Sequence, residues 1–149
     1  MQSLADITLR PAMPEDSEFV YQTKKIAFRR YVDLAWGWVE ADQRAMHERR
    51  FAKGEFQIVR CKDLDIGILA FVKRSDRVDV NQLFLLPEYQ RKGIGMELME
   101  RIMADAKLSS LPVHIQTFKV NLPAQAFAKK LGFQMSGETE THVQWEWKE

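Results

Sequence analysis

A strand, a turn and the start of a helix meet in the stretch Leu83-Phe84-Leu85-Leu86-Pro87-Glu88-Tyr89-Gln90-Arg91-Lys92-Gly93-Ile94-Gly95. Pro87 fixes the turn, and two glycines open a helix whose apolar residues recur on one stripe. The first turn of a helix has about four backbone N–H groups without partners and about half a positive charge. Because Gly93 and Gly95 have no side chain, a ligand can reach these N–H groups. The stretch therefore predicts a cradle for a pyrophosphate group.

Two cationic side chains directly precede this helix, where positive charge is unfavourable. Arg91 and Lys92 oppose the helix dipole, which costs roughly a few tenths of a kcal/mol unless an anion binds. The alternative is that the glycines only form a turn and that the cations are solvated. Two common phosphate motifs do not match, because a dinucleotide-binding G-x-G-x-x-G would need glycine at Leu98 and the P-loop pattern is absent.

The rest of the chain predicts a mixed order of helices and strands. The predicted strands are Ile7–Arg10, Phe56–Arg60, Ile66–Lys73, Arg77–Leu86 and Val113–Phe118, followed by a two-stranded piece over Phe133–Trp147. The predicted helices are a first one capped by Asp16, with Phe19, Val20, Ile26, Ala27 and Tyr31 on its apolar face, and then Val39–Lys53, Ile94–Lys107 and Pro123–Leu131.

The strand before the cradle changes its alternation. Val78 and Val80 place the apolar face on even positions, whereas Leu83 and Leu85 place it on odd ones. Side chains alternate strictly along a strand, so a change of parity requires an inserted residue. The pattern predicts a β-bulge after Asn81, and bulges are frequent next to functional sites.

Length and composition bound the class of protein. A chain of 149 residues is about one domain, and 46% hydrophobic with 29% charged residues is typical of a globular protein. No repeat or linker divides it, so residues 1–149 are predicted to be a single domain. Its 22 basic and 21 acidic residues give a net charge of +1, which argues against nucleic acid or a membrane as partner.

Cysteine usage and hydropathy indicate the compartment. Cys61 is the only cysteine, so neither a disulfide framework nor a cysteine-rich zinc site can form. The longest apolar run, Ile68–Val72, is far shorter than the roughly 20 residues that span a bilayer. The three histidines are widely spaced, so no metal site is expected. We expect a cytoplasmic protein.

The chain resembles the GNAT superfamily of acyl-CoA-dependent N-acyltransferases. Gln90–Gly95 matches the family signature [Q/R]-x-x-G-x-[G/A], and Asn121–Phe133 is similar to its N-x-x-A-x-x-x-Y-x-x-x-G-F segment. Leu83–Pro87 looks like the bulged fourth strand of that family. The resemblance covers nearly the whole chain. It implies an α/β fold with a mostly antiparallel sheet of six to seven strands, splayed at the fourth strand, and about four helices.

The resemblance also implies a cosubstrate, acetyl-CoA. Its pyrophosphate would lie on the N–H groups from Arg91 to Met96, its pantetheine arm would pair along Leu83–Leu85, and Asn121 would lie on the far side of that arm. The implied activity is direct transfer of the acetyl group to a primary amine of a small-molecule or peptide acceptor, by a monomer or homodimer. The implied cofactor-binding residues are Leu83, Phe84, Leu85, Gln90, Arg91, Lys92, Gly93, Ile94, Gly95, Met96, Asn121 and Phe127.

One departure from the family pattern concerns the leaving thiolate. Ala128 occupies the position of the tyrosine that often protonates it. A thiol with a pKa near 8.5 is already a tolerable leaving group, so the loss threatens rate more than feasibility. A non-catalytic acyl-CoA-binding sensor or assembly module is therefore the alternative.

The acceptor amine has to lose a proton before it attacks. An alkyl amine with a pKa near 10.4 is neutral in about one molecule in 10³ or fewer at pH 7. Asp79 lies where histone-acetylating relatives place a glutamate base, although it is also explained as an exposed strand residue. Glu40, which follows Trp36 and Trp38, either attracts an ammonium group or simply begins a helix. Tyr31 and Trp36 are expected in the core.

Overall fold

The computed structural model describes residues 4–149. Its strands are β1 Ile7–Pro11, β2 Phe56–Cys61, β3 Leu64–Lys73, β4 Val78–Leu85, β5 Val113–Phe118, β6 Gln134–Glu138 and β7 His142–Trp147. Its α-helices are α1 Ser17–Ala35, α2 Glu40–Phe51, α3 Ile94–Leu108 and α4 Leu122–Lys130. The described strands form one sheet in the order β1-β2-β3-β4-β5-β7-β6. The predicted α/β class, strand number and helix number are confirmed.

The pairing within the sheet is mixed. β1 with β2, β2 with β3, β5 with β7 and β6 with β7 are antiparallel, whereas β4 and β5 are parallel. Their parallel ladder contains only two residue pairs, Val78 with Val113 and Asp79 with His114. The family resemblance implied a sheet splayed at the fourth strand, and the short ladder agrees with it.

Burial along β4 differs from the predicted change of parity. Val78, Val80 and Gln82 are buried, so the even positions still face inward after Asn81. Leu83–Leu85 is half-buried throughout and shows no alternation. The bulge after Asn81 stays a prediction.

The contacts of the chain divide it into two compact units. The first unit comprises the chain up to Ala70 together with Gln82–Glu97, and its core contains Val20, Phe56, Ile58, Ile68 and Ala70. The second unit comprises Phe71–Asn81 and Leu98–Glu149. Its buried residues include Leu98, Met99, Ile102, Ala106, Val113, Ala128, Phe133, Val143 and Trp145.

The prediction for α1 and the residue after it is confirmed at Val20 and Tyr31, which are buried, and is wrong at Ile26 and Trp36. Ile26 and Trp36 were expected in apolar surroundings, but they are 58% and 61% exposed. The buried residues of α1 are Val20, Tyr21, Thr23, Tyr31 and Val32. Thr23 can be buried because its hydroxyl donates to the carbonyl of Phe19 at 2.8 Å. The spacing of apolar residues alone did not predict the whole buried face of α1, because that face also includes the amphipathic side chains of Tyr21 and Thr23. None of the helices in residues 4–149 has the length and apolar character needed to cross a membrane.

Candidate functional site

The predicted cradle lies at the start of α3. The carbonyl of Gly93 accepts the N–H of Glu97 at 3.0 Å, which makes it the first acceptor of the helix. The N–H groups of Ile94, Gly95 and Met96 come before that bond, so they have no partner within the helix. The Ile94 side chain is buried and fixes the helix start in the protein. Three adjacent donors are therefore directed to the space in front of α3.

The backbone before α3 takes a conformation that L-residues adopt rarely. Arg91 has a φ of 60° and Gly93 a φ of 82°. Turns of this kind direct successive N–H groups to one side and form concave anion-binding surfaces. A Cβ atom at Gly93 would meet no atom within 4 Å. Glycine therefore both permits the turn and leaves the space before the helix open, as a bound pyrophosphate requires.

Side chains in this segment hold the loop in place. The amide nitrogen of Gln90 donates to the carbonyl of Leu85 at 2.8 Å. The ammonium of Lys92 lies 5.8 Å from the centre of the Tyr89 ring. Gln90, predicted to contact the cosubstrate, thus ties the loop to the end of β4. Arg91 is exposed.

The end of β4 is positioned by β3. A Cβ built on Gly67 would lie 2.5 Å from the carbonyl oxygen of Phe84 and 2.7 Å from a methyl carbon of Leu85. The N–H of Leu86 also donates to the carbonyl of Ile66 at 2.8 Å. The two strands approach this closely because position 67 has no side chain. The predicted pantetheine-binding segment is therefore fixed by direct backbone packing.

In the second unit, Asn121 caps α4. Its side-chain oxygen accepts the N–H of Ala124 at 3.1 Å, while no partner is found for its amide nitrogen among the described residues. Phe127 is half-buried. Ala128 is fully buried, and its carbonyl accepts the N–H of Phe133 at 3.0 Å. The position that carries tyrosine in the family is closed here by packing.

The candidate base Asp79 is held by two arginines. Its carboxylate accepts from Arg74 at 2.6 Å and from Arg77 at 2.9 Å. Partial burial works against the charge, but the hydrogen bonds from the two guanidinium groups outweigh it, so the pKa of Asp79 is lowered. A carboxylate held in this way takes up a proton less readily. Its role as a base stays a prediction, which this geometry weakens.

The carboxylate of Glu40, the candidate for attracting an ammonium group, is also already paired with other side chains. The indole N–H of Trp38 donates to it at 2.8 Å and the ammonium of Lys25 at 3.0 Å. Arg44 lies 3.4 Å away. The hydrogen bonds from Trp38 and Lys25 lower the pKa of Glu40 to about 2. Two cations already balance this carboxylate, so little of its charge is left to attract an acceptor.

Two buried polar atoms were missed by the sequence analysis. The hydroxyl of Tyr21 and the side-chain oxygen of Gln82 have no hydrogen-bond partner among the described residues. Buried polar atoms of this kind are rare in native proteins, and they often mark a site for water or ligand. Gln82 follows Val78 and Val80 on the buried side of β4. A polar side chain at that position was the signal available in the sequence.

His47 has a packing role in the first unit. It is buried, and its Nε2 lies 2.9 Å from the hydroxyl of Ser17 while its Nδ1 lies 3.4 Å from the ammonium of Lys24. Burial lowers the pKa of His47, which favours the neutral ring. Across residues 4–149, no three His, Cys, Asp or Glu side chains form a group that could hold a metal ion.

Comparison with models of known protein families shows to which family the chain belongs. The model of the acetyltransferase (GNAT) family matches residues 19–133, which include most of α1, all of α2, the cradle and the segment after Asn121. The chain belongs to the acetyltransferase (GNAT) family. This confirms the predicted family and the prediction of an acyltransferase that depends on acetyl-CoA.

Solved structures show the same fold. PaiA N-acetyltransferase from Thermoplasma acidophilum, in complex with coenzyme A, is 19% identical over 96% of this chain and 99% of its own, with a TM-score of 0.74. An acetyltransferase from Thermus thermophilus is 14% identical over 95% and 96%, with a TM-score of 0.75. The ribosomal-protein-S18-alanine N-acetyltransferase from Escherichia coli is 17% identical over 95% and 93%, with a TM-score of 0.70.

Replacing Arg91 with alanine should weaken acetyl-CoA binding only about two- to threefold, because an exposed cation adds a screened attraction to an anion. The loss should shrink further in roughly 0.5 M salt, where the Debye length is only a few Å. Isothermal titration with acetyl-CoA at low and high salt measures both effects. A tenfold loss that salt does not reduce would show that the guanidinium makes a specific contact.

Proposed function

We propose that this acetyltransferase moves the acetyl group of acetyl-CoA directly to a primary amine of a small-molecule or peptide acceptor. The observation that carries the proposal is the start of α3, where Arg91 and Gly93 have positive φ and the N–H groups of Ile94, Gly95 and Met96 have no partner in the helix. A diphosphate satisfies such donors and the helix dipole together. The family match supports this use of the segment.

The chain would hold the cosubstrate with backbone groups more than with side chains. The cradle from Arg91 to Met96 receives the pyrophosphate, and the backbone of Leu83–Leu85 pairs with the pantetheine arm. The amide nitrogen of Asn121 and the ring of Phe127 are proposed as further contacts. Acetyl-CoA supplies an activated acetyl group, and the chain supplies orientation.

Proton removal from the acceptor is proposed to use water. At pH 7 the neutral form of an alkyl amine costs roughly 4 to 5 kcal/mol. Asp79 and Glu40 are both held by cations, which makes them weak bases. Water that reaches the amine can accept the proton without either carboxylate. The thiolate likewise leaves without a phenol from position 128, since Ala128 is fully enclosed.

The position of the only cysteine also favours direct transfer over a mechanism with an acyl-enzyme intermediate. Cys61 is the only thiol, and it is buried in β2 with 4% of its surface exposed. A thiol enclosed within the sheet is not accessible to the acetyl thioester. The Cys61→Ser variant should therefore retain acetyl transfer.

A thiol-release assay tests the function. Purified protein is incubated with acetyl-CoA and a panel of amines that includes spermidine, L-lysine, phenethylamine and a peptide with a free N-terminus. Acceptor-stimulated release of coenzyme A, with mass spectrometric detection of the acetylated amine, is the expected result. Tight binding of acetyl-CoA without stimulated release from any amine would support the alternative, a non-catalytic acyl-CoA-binding module, which the enclosed Ala128 favours.

We further propose that residues 1–149 act as one domain in the cytoplasm. Each of the two compact units is built from two separate pieces of chain, so neither unit is a continuous segment. A single buried cysteine is consistent with a reducing compartment. The oligomeric state is proposed to be a monomer or a homodimer, which light scattering distinguishes.

A further inference from the structure

A small pocket opens between α1 and α2 in the first unit. The lining residues are Tyr21, Lys24 and Phe28 from α1, Gln43, Met46 and Arg50 from α2, and Trp38 from the connection between the two helices. Its volume is about 30 Å³, which is room for one or two water molecules. The pocket can therefore admit a small polar group of a ligand, with the rest of that ligand outside. We call it the α1–α2 pocket.

The α1–α2 pocket carries two cations that no carboxylate balances. Lys24 and Arg50 both line it, and no ion pair with an acidic side chain is found for either in the part of the chain that the structure describes. Nearby cations are paired, because Lys25 and Arg44 both contact Glu40 and Arg44 also contacts Glu18. Lys24 is half-buried and Arg50 is exposed, and two like charges beside one pocket repel each other. A bound anion relieves that repulsion.

His47 does not supply the missing charge. The ammonium of Lys24 can only donate, so the Nδ1 atom of His47 accepts from it and the ring keeps its proton on Nε2. That Nε2–H then donates to the hydroxyl of Ser17 at 2.9 Å. His47 is a neutral acceptor in this arrangement. The same tautomer means that His47 cannot act as a base toward Ser17.

The Tyr21 hydroxyl also lies at the α1–α2 pocket. Tyr21 is 2% exposed, and its hydroxyl is enclosed without a hydrogen-bond partner among the described residues. Burial, followed by hydrogen bonding to the Glu40 carboxylate, raises the pKa of Tyr21, so the phenol keeps its proton. A protonated phenol is a hydrogen-bond donor. Glu40 is already held by Trp38, Lys25 and Arg44, so the phenol can donate to an acceptor atom inside the α1–α2 pocket in place of Glu40.

We propose that the α1–α2 pocket binds a carboxylate of the acceptor, so that the physiological acceptor is a small amine that also carries a carboxylate. Lys24 and Arg50 provide the charge, and the Tyr21 hydroxyl provides a further donor. The apolar walls formed by Phe28 and Met46 suit a ligand with an apolar body. This inference rests on the proposed acetyl transfer for the role of the ligand, although the binding of a carboxylate is a separate property.

The location of the pocket suits an acceptor. Phe28 forms one of its walls and also packs against Phe84 in β4, with ring centres 4.4 Å apart and an interplanar angle of 62°. Phe84 belongs to the segment Leu83–Leu85 that is proposed to pair with the pantetheine arm. An acceptor held at the pocket by its carboxylate can therefore extend its amine along Phe28 toward that segment.

Competitive labelling of Lys24 tests the binding without any need for catalysis. The protein is treated with trace acetic anhydride at pH 8, and modification of Lys24 relative to exposed Lys53 is measured by peptide mass spectrometry. The probes are N-acetyl-L-phenylalanine and N-acetylphenethylamine, which differ only in the carboxylate. A carboxylate beside Lys24 favours the protonated, unreactive amine, so the first probe should lower its labelling at least about tenfold and the second should have no effect.

Arg50→Gln and Arg49→Gln form the matched variants. Both remove one cation from neighbouring exposed positions of α2, but only Arg50 lines the pocket. Protection of Lys24 by N-acetyl-L-phenylalanine should be lost in Arg50→Gln and kept in Arg49→Gln. Equal protection by both probes, no protection by either, equal effects of both variants, or a Lys24 that does not react at all would overturn the proposal.

Turnover separates this inference from the proposed function. L-phenylalanine and phenethylamine are compared as acceptors in the thiol-release assay. Protection of Lys24 without release of coenzyme A from any amine would contradict the proposed function and leave the carboxylate site in place. Release from both amines at equal kcat/KM, with no protection of Lys24, would overturn the carboxylate site and leave the proposed function in place.

The pH dependence of binding gives an additional check. Burial, followed by the charge of Arg50, lowers the pKa of Lys24 to about 8. The groups facing Lys24 are His47 and Arg50 from α2 and the Phe56 ring from β2. Because only the protonated amine attracts a carboxylate, the affinity for N-acetyl-L-phenylalanine should be constant below pH 7 and fall as the pH rises through about 8. An affinity that stays constant up to pH 9.5 would contradict the role of Lys24.

Discussion

Acetyl-CoA should bind the Gly93→Val variant at least tenfold more weakly than the parent, a change of about 1.4 kcal/mol. Gly93 has a φ of 82°, a conformation that a β-branched residue rarely adopts. Valine would drive the backbone toward negative φ and turn the N–H groups before Met96 away from their common direction. Its side chain would also fill the open space in front of α3 that the proposed pyrophosphate needs. Isothermal titration with acetyl-CoA measures the change.

Gly37→Val is the matched control for this experiment. Gly37 has a φ of 87°, and a Cβ there would also meet no atom within 4 Å. It follows α1, where its N–H donates to the carbonyl of Val32 at 2.9 Å. Both variants should therefore lose similar stability in urea, while only Gly93→Val loses affinity. A folded Gly93→Val protein with normal affinity would remove the cradle from the proposed function.

The cradle could be predicted from the sequence because its features are local. Glycines at positions 93 and 95, placed between an apolar strand and an apolar stripe, are enough to predict a turn and an open helix start. The left-handed conformation of Arg91 could not be predicted, since arginine has no preference for it. That conformation depends on how the loop is anchored, including the hydrogen bond from Gln90 to Leu85.

The roles of Asp79 as a base and of Glu40 as an ammonium-attracting group could not be judged from the sequence, because each depends on the cations that pair with the carboxylate. Glu40 is paired with Lys25, which lies 15 positions earlier in the chain. Asp79 is paired with two arginines that are close in sequence, but strand alternation alone does not show which charges meet around a turn. The α1–α2 pocket was missed for a related reason. Tyr21 and Lys24 become informative only when their partners, or the lack of them, are known.

Gly67→Ala should destabilise the protein by about 1–3 kcal/mol, the usual cost of overpacking a close contact. Gly67 is buried in β3, and an added Cβ would lie 2.5 Å from the carbonyl oxygen of Phe84. A backbone atom cannot rotate away as a side chain can, so β3 and β4 must separate locally. The displacement falls on Phe84 and Leu85, the segment proposed to pair with the pantetheine arm. Affinity for acetyl-CoA should therefore fall in the folded variant as well.

Gly137→Ala distinguishes this backbone effect from the general effect of adding a methyl group. A Cβ at Gly137 would lie 2.6 Å from the side-chain oxygen of Gln144, which can move to another rotamer. We expect this variant to lose less than about 1 kcal/mol, because surface substitutions without backbone conflict are usually mild. Urea unfolding of both variants at 25 °C gives the comparison. If Gly67→Ala costs no more than Gly137→Ala and binds acetyl-CoA normally, then β4 is not held by its contact with Gly67, and the position of the pantetheine-binding segment must be set from another side.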